Sequence, residues 1–150
     1  MKIFFTCLGL TKKFKYPHEA REIIKRVVKE ENKQLGEIGI VFTDNQNILE
    51  INKRYLKHSY FTDVITFENS IKGLISGDVF ISIDQVHINT VRFGTKSGEE
   101  IFRVIIHGIL HLIGYTDEYE QDREKMRRKE DIYLEFLENW IRKTDDEFMV

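Results

Sequence analysis

At 150 residues, with 41% hydrophobic and 32% charged side chains, the chain has the size of one domain that can bury a core without disulfides or oligomerisation. A formal charge of -2 excludes wholesale polyanion binding, so any nucleic-acid surface has to be local. The single cysteine, Cys7, excludes an internal disulfide and suits the reducing cytoplasm.

The opening MKIFFTCLGLTKKFK is broken by Thr6 and Gly9, ends in lysines and lacks a small-residue cleavage site, so it reads as a strand and not as a signal peptide. No run approaches the ~18 apolar residues that a membrane span needs. Next, Ala20, Ile23, Ile24, Val27 and Val28 recur at helical spacing, with Gly36 as the expected stop. Ile38 to Thr43 is a β-branched strand, and Asp44 or Asn45 caps a helix expected over about Gln46 to Leu56. Strands follow around Asp63–Phe67 and Asp78–Ile83, separated by a loop with Gly73 and Gly77. Gly77 with Asp78 looks like a tight turn, and Thr62 and Asp63 read equally as cleft or turn residues. A short helix from Asp84 to Phe93 closes at Gly94, and Ser97 with Glu100 forms a capping box for the next one. A last amphipathic helix from Glu118 to Trp140 packs through Met126, Tyr133, Phe136, Leu137 and Trp140. The expected fold is α+β: one domain, residues 1–150, with a small mixed four-stranded sheet and about five helices.

Between Ile101 and Ile113 nearly the whole helix circumference is apolar, the pattern of a buried central helix. Its polar residues Glu100, Arg103, His107 and His111 fall three or four positions apart, on one stripe that must look into a polar cavity. Histidines four apart stand one turn above each other and can direct ring nitrogens at one metal ion. Gly114 is placed to end the helix, and Asp117 follows on the returning chain as a third ligand. Three protein ligands leave one zinc position open, the coordination of a catalytic site, whereas a structural zinc is usually closed by four. His18, His58 and His87 are isolated in sequence. The spacing HxxxHxxGxxD is also the frame of the metzincin proteases, but Gly108 stands where those enzymes carry their glutamate base. A remote carboxylate such as Glu100 would have to replace it.

HGILHLIGYTD, GDVFISIDQV and TDVITF together resemble the YbeY-type rRNA maturation factors, whose corresponding segments read HGxLHLxGYDH, GDIxIS and TDVLSF. INKRYLKHSYFTDVITF is similar in length and pattern as well. The resemblance covers most of the chain. It implies a zincin-like metal helix, one Zn²⁺ held by His107, His111 and Asp117, and hydrolysis of single-stranded RNA in rRNA 3′-end maturation and ribosome quality control, with rRNA and the ribosomal subunit as partners. Two departures stand out. Asp117 takes the place of the family's third histidine, so its negative charge offsets part of the metal's charge. Leu56 takes the place of an arginine that engages RNA phosphate, and leucine cannot replace a guanidinium. Arg54, Lys57 and Arg103 are the nearby cations, and none is assigned as catalytic. Lys12, Lys13, Lys15 and Arg123 to Lys129 read as a solvated face that can also touch RNA backbone. Two other functions fit the motif: a ribosome-assembly or RNA-binding factor with a mainly structural zinc, and a metzincin-like metalloprotease.

Overall fold

The computed structural model describes residues 2–56, 62–144 and 147–150. Its four strands are β1 (Ile3–Cys7), β2 (Gln34–Thr43), β3 (Val64–Glu68) and β4 (Leu74–Ser82), in spatial order β1-β2-β4-β3. β1, β2 and β4 run parallel and β3 is antiparallel to β4, which makes the expected mixed sheet. Five α-helices of seven residues or more accompany it: α1 (Pro17–Glu30), α2 (Asn45–Ile51), α3 (Ile83–Phe93), α4 (Ser97–Ile113) and α5 (Glu120–Leu134). A short α6 (Glu138–Lys143) ends the helical region.

Alternation along β2 turns Ile38, Ile40 and Phe42 inward, and along β4 Ile75, Val79 and Ile81, all almost fully buried. α1 and α4 lie on that face and contribute Ile24, Val27, Ile101, Ile105 and Ile109 to the same core. Burying a side chain of this size contributes roughly 1.5–3 kcal/mol, and α4 is clad in such residues on every side but the polar stripe. α4 is thereby held against β3 and β4 on one side and α1, α3 and α5 on the others. Among the described residues no helix is long and apolar enough to cross a membrane.

Several local expectations are corrected. Gly36 lies inside β2, where a Cβ would sit 2.0 Å from Ser76 Oγ; α1 is ended instead beyond Glu31, where Asn32 takes a positive φ of 59°. Gly77 and Asp78 are strand residues of β4, and the tight turn falls at Lys72 and Gly73, with φ of 54° and 79°. The α4 capping box does not form: Lys96 is the N-cap and makes no side-chain cap, while Glu100 turns inward to accept from Thr95 Oγ1 at 3.3 Å. Asp44 does cap α2 through Asn47 N–H. That helix ends at Ile51 and continues as a π turn over Asn52–Leu56. The single helix expected from Glu118 to Trp140 is broken by a 3₁₀ turn at Glu135–Leu137. The break lets Trp140 fold edge-on against Phe102 and Tyr16, at 5.1 and 4.7 Å. Phe136 falls off the packing face, 48% exposed, under the guanidinium of Arg26.

Candidate metal centre

The polar stripe of α4 opens on a cleft of about 370 Å³ walled by α3, α4 and α5. Glu100, Arg103 and His107 line it, as do Asp63 at the entry to β3, Asp117, and Glu130 of α5. His111 stands one turn beyond His107, with the two Nε2 atoms 2.9 Å apart. After α4, Gly114 adopts a φ of 123° and its N–H bonds back to the Leu110 and His111 carbonyls. This reversal returns the chain so that Asp117 Oδ2 lies 3.2 Å from His107 Nε2 and 3.4 Å from His111 Nε2. One potential ligand atom from each of the three residues lies within 4.8 Å of the others. The sequence stripe and the motif thus meet at one point.

The tautomers follow from the outer partners. His111 Nδ1 lies 3.0 Å from the carbonyl oxygen of Tyr115, which can only accept, so Nδ1 carries the proton. His107 Nδ1 lies 2.7 Å from Glu130 Oε2 and donates to that carboxylate. In the neutral imidazoles both Nε2 lone pairs then converge beside a carboxylate oxygen. Two acceptors at that separation need a proton or a cation between them, so the donor set fits a metal ion.

Glu130 was not expected. It is 5% exposed and accepts from Arg103 Nη1 at 3.0 Å as well as from His107. Arg103 Nη2 also reaches Asp131 at 2.7 Å. The stripe Met126, Glu130, Tyr133, Leu137 explains its position, for a carboxylate at packing spacing has to be buried with a partner. Another carboxylate, Glu31 just beyond α1, whose side chain is 7% exposed, accepts from Tyr115 Oη at 2.5 Å, Lys129 Nζ at 3.0 Å and the Tyr133 hydroxyl. It ties α1 and α5 to the turn that carries Tyr115 between the second histidine and Asp117.

Charge reinforces the geometry. Burial alone would lower the His107 pKa, but its bonds to Asp117 and Glu130 raise it to about 9 in the metal-free protein. The same bond from His107 draws Asp117 down to about 2. His111 is held below its ordinary value by burial and by the charge on His107. Burial pushes Asp63 and Glu100 above the usual carboxylate range. Asp63 Oδ2 accepts from Asn89 Nδ2 at 3.2 Å, so of the pair Thr62 and Asp63 it is the aspartate that faces the cleft.

Several other sequence candidates do not join the cluster. His87 pairs with Glu147 at 2.8 Å, and neither His87 nor His18 joins the cluster. Arg54 sits by Leu8 and Asn47, away from the cleft. Lys57 and His58 lie outside the described residues. Gly108 faces the sheet: a Cβ there would meet Val79 Cγ1 at 2.5 Å. The absence of a glutamate after the first histidine is thus also a packing requirement of this helix.

The family model described as endoribonuclease YbeY matches residues 9–138. An endoribonuclease YbeY of Karelsulcia muelleri is 48% identical over 111 residues, 74% of this chain and 79% of that protein. One from Azobacteroides pseudotrichonymphae is 42% identical over 139 residues, 90% of this chain and 97% of its own. The solution structure of TM1509 from Thermotoga maritima superimposes with a TM-score of 0.65 at 24% identity, covering 92% of this chain and 91% of that one, and so shares the fold. With motif, fold and sequence identity agreeing along most of its length, the chain belongs to the endoribonuclease YbeY family.

Proposed function

We propose that residues 1–150 form one zinc-dependent endoribonuclease domain that cleaves single-stranded RNA in the cytoplasm, with rRNA 3′ ends and the ribosomal subunit as its setting. The observation that carries this reading is the convergence of His107 Nε2, His111 Nε2 and Asp117 Oδ2 beside a cleft that His107 and Asp117 line. These three residues would hold the ion. A zinc ion bound by them would act as a Lewis acid and make its water a nucleophile near neutral pH.

The chain's own groups do the rest. Glu130 and the Tyr115 carbonyl fix the two imidazoles by accepting hydrogen bonds from their Nδ1–H groups, which leaves both Nε2 lone pairs free for the ion. Asp63, which lines the same cleft and whose pKa is raised by burial, would take a proton at its carboxylate from the attacking water. Asp117 is 44% exposed at the side chain, so the site faces solvent and substrate, as a catalytic site must and a structural one need not. Gly108, packed on Val79, leaves a protease without its usual base.

Purified protein of defined zinc content, incubated with a single-stranded rRNA precursor fragment, tests the reading. Cleavage is expected to follow zinc content and to vanish in His107→Ala. Undiminished cleavage by metal-free His107→Ala overturns it, and zinc-dependent casein cleavage would support the protease reading in its place.

A further inference from the structure

The cleft sets a problem for an RNA substrate: it is lined by four carboxylates, Asp63, Glu100, Asp117 and Glu130. A polyanion entering it needs cations on the wall. Arg103 is committed, its two terminal nitrogens bound to Glu130 and Asp131. Leu56 has no charge to offer, and Arg54 belongs to another part of the surface. Among the described residues, the remaining cations on the cleft wall are Arg123 and Arg127, one turn apart on α5.

Their register explains their aim. Met126 and Glu130 are buried in the same helix, and Arg123 and Arg127 occupy the adjoining stripe, which borders the cleft while staying exposed. Arg123 Nη1 donates to the carbonyls of Glu118 at 3.0 Å and Asp117 at 3.4 Å, which fixes the guanidinium beside the third ligand without neutralising it. Arg127 has neither ion pair nor hydrogen-bond partner among the described residues. A fixed guanidinium and a free one, both beside the metal centre and facing carboxylates with which they do not pair, suit a phosphodiester next to the one being cleaved.

We propose that Arg123 and Arg127 form a phosphate-binding site for the RNA strand, supplying from α5 the positive charge that this chain lacks at Leu56. The proposal rests on the endoribonuclease reading. The test is steady-state cleavage of a labelled single-stranded RNA by the zinc-loaded protein across a series of KCl concentrations, for the wild type, Arg127→Gln, Arg127→Lys and the remote charge control Lys33→Gln. One lost phosphate contact on a single strand lowers the slope of log KM against log salt by about 0.7 and raises KM by about tenfold. Arg127→Gln is expected to do both with kcat within about twofold, and Arg127→Lys to keep the slope, because a phosphate contact needs the charge. Zinc content and melting midpoint should stay at wild-type values. A KM and slope for Arg127→Gln that match those of Lys33→Gln overturn the site and leave the endoribonuclease reading standing. A wild type that cleaves no RNA overturns that reading and the site with it.

Discussion

Glu130→Gln isolates the support of the metal centre from the centre itself. The substitution keeps the shape of a side chain that is 7% exposed but removes the charge that accepts from His107 at 2.7 Å and from Arg103 at 3.0 Å. Loss of such an outer carboxylate lowers metal affinity by about 10- to 100-fold, which is about 1.4–2.7 kcal/mol. Arg103 keeps Asp131 as its partner, so the fold should lose only about 1–3 kcal/mol, the cost of weakening one buried charge-assisted bond. Competition against a chromophoric chelator reads the first effect, and urea unfolding of the metal-free protein the second. If zinc affinity stays within about twofold of wild type while stability falls, Glu130 serves packing alone and the orientation argument is refuted. Glu130→Ala is the harsher comparison: it removes the acceptor of both His107 and Arg103 and should cost about 3–5 kcal/mol of stability.

The pH dependence has a defined sign. His107 moves from 6.5 to about 9 on folding, so its contribution, about 3 kcal/mol, is complete below about pH 6.5 and is lost as pH rises through 9. His111, lowered by burial, works in the opposite sense and loses stability as pH falls below its unfolded value of 6.5. Thermal unfolding of the metal-free protein should therefore be most resistant near pH 6.5 and less so on either side. Zinc has to displace the His107 proton, so affinity should climb about tenfold per pH unit up to about pH 9, with proton release measurable by calorimetry in buffers of different ionisation enthalpy. Gly108→Ala forces a Cβ to 2.5 Å from Val79 Cγ1 and should cost about 1–3 kcal/mol in a denaturant melt. Glu31→Gln removes the charged acceptor of two tyrosines and Lys129; it should lose about 2 kcal/mol of stability and weaken zinc binding through the Tyr115 turn, both visible in the same melts and chelator titrations.

The metal helix was legible because its environment is severe: polar residues at three- and four-residue spacing on an otherwise apolar helix have to face a polar cavity. Glu100, Arg103 and His107 line it, and His111 meets His107 beside it. Gly114 was legible because a positive φ after an apolar helix favours glycine. The outer partners were harder to find. Glu130 sits in a run of charges that reads as a solvated face, and only its spacing from Met126 and Tyr133 betrays its burial. Glu31 lies just beyond a charged helix end, and its partners are more than eighty residues away in sequence, beyond the reach of any local pattern. Boundaries failed where tertiary contacts decide them. The last helix breaks with no Pro or Gly near Glu135–Leu137, because Trp140 gains its place against Phe102 and Tyr16 only by the bend. Arg123 and Arg127 looked like surface charge in the sequence, and their place on the cleft wall depends on how α5 docks.

The most direct test of the central claim is zinc per chain, determined by elemental analysis for the wild type and for His111→Ala, with single-stranded RNA cleavage assayed on the same samples. One zinc per wild-type chain, none in the variant, and loss of cleavage along with the metal are expected. Cleavage at the wild-type rate by a variant that holds no zinc would contradict the claim.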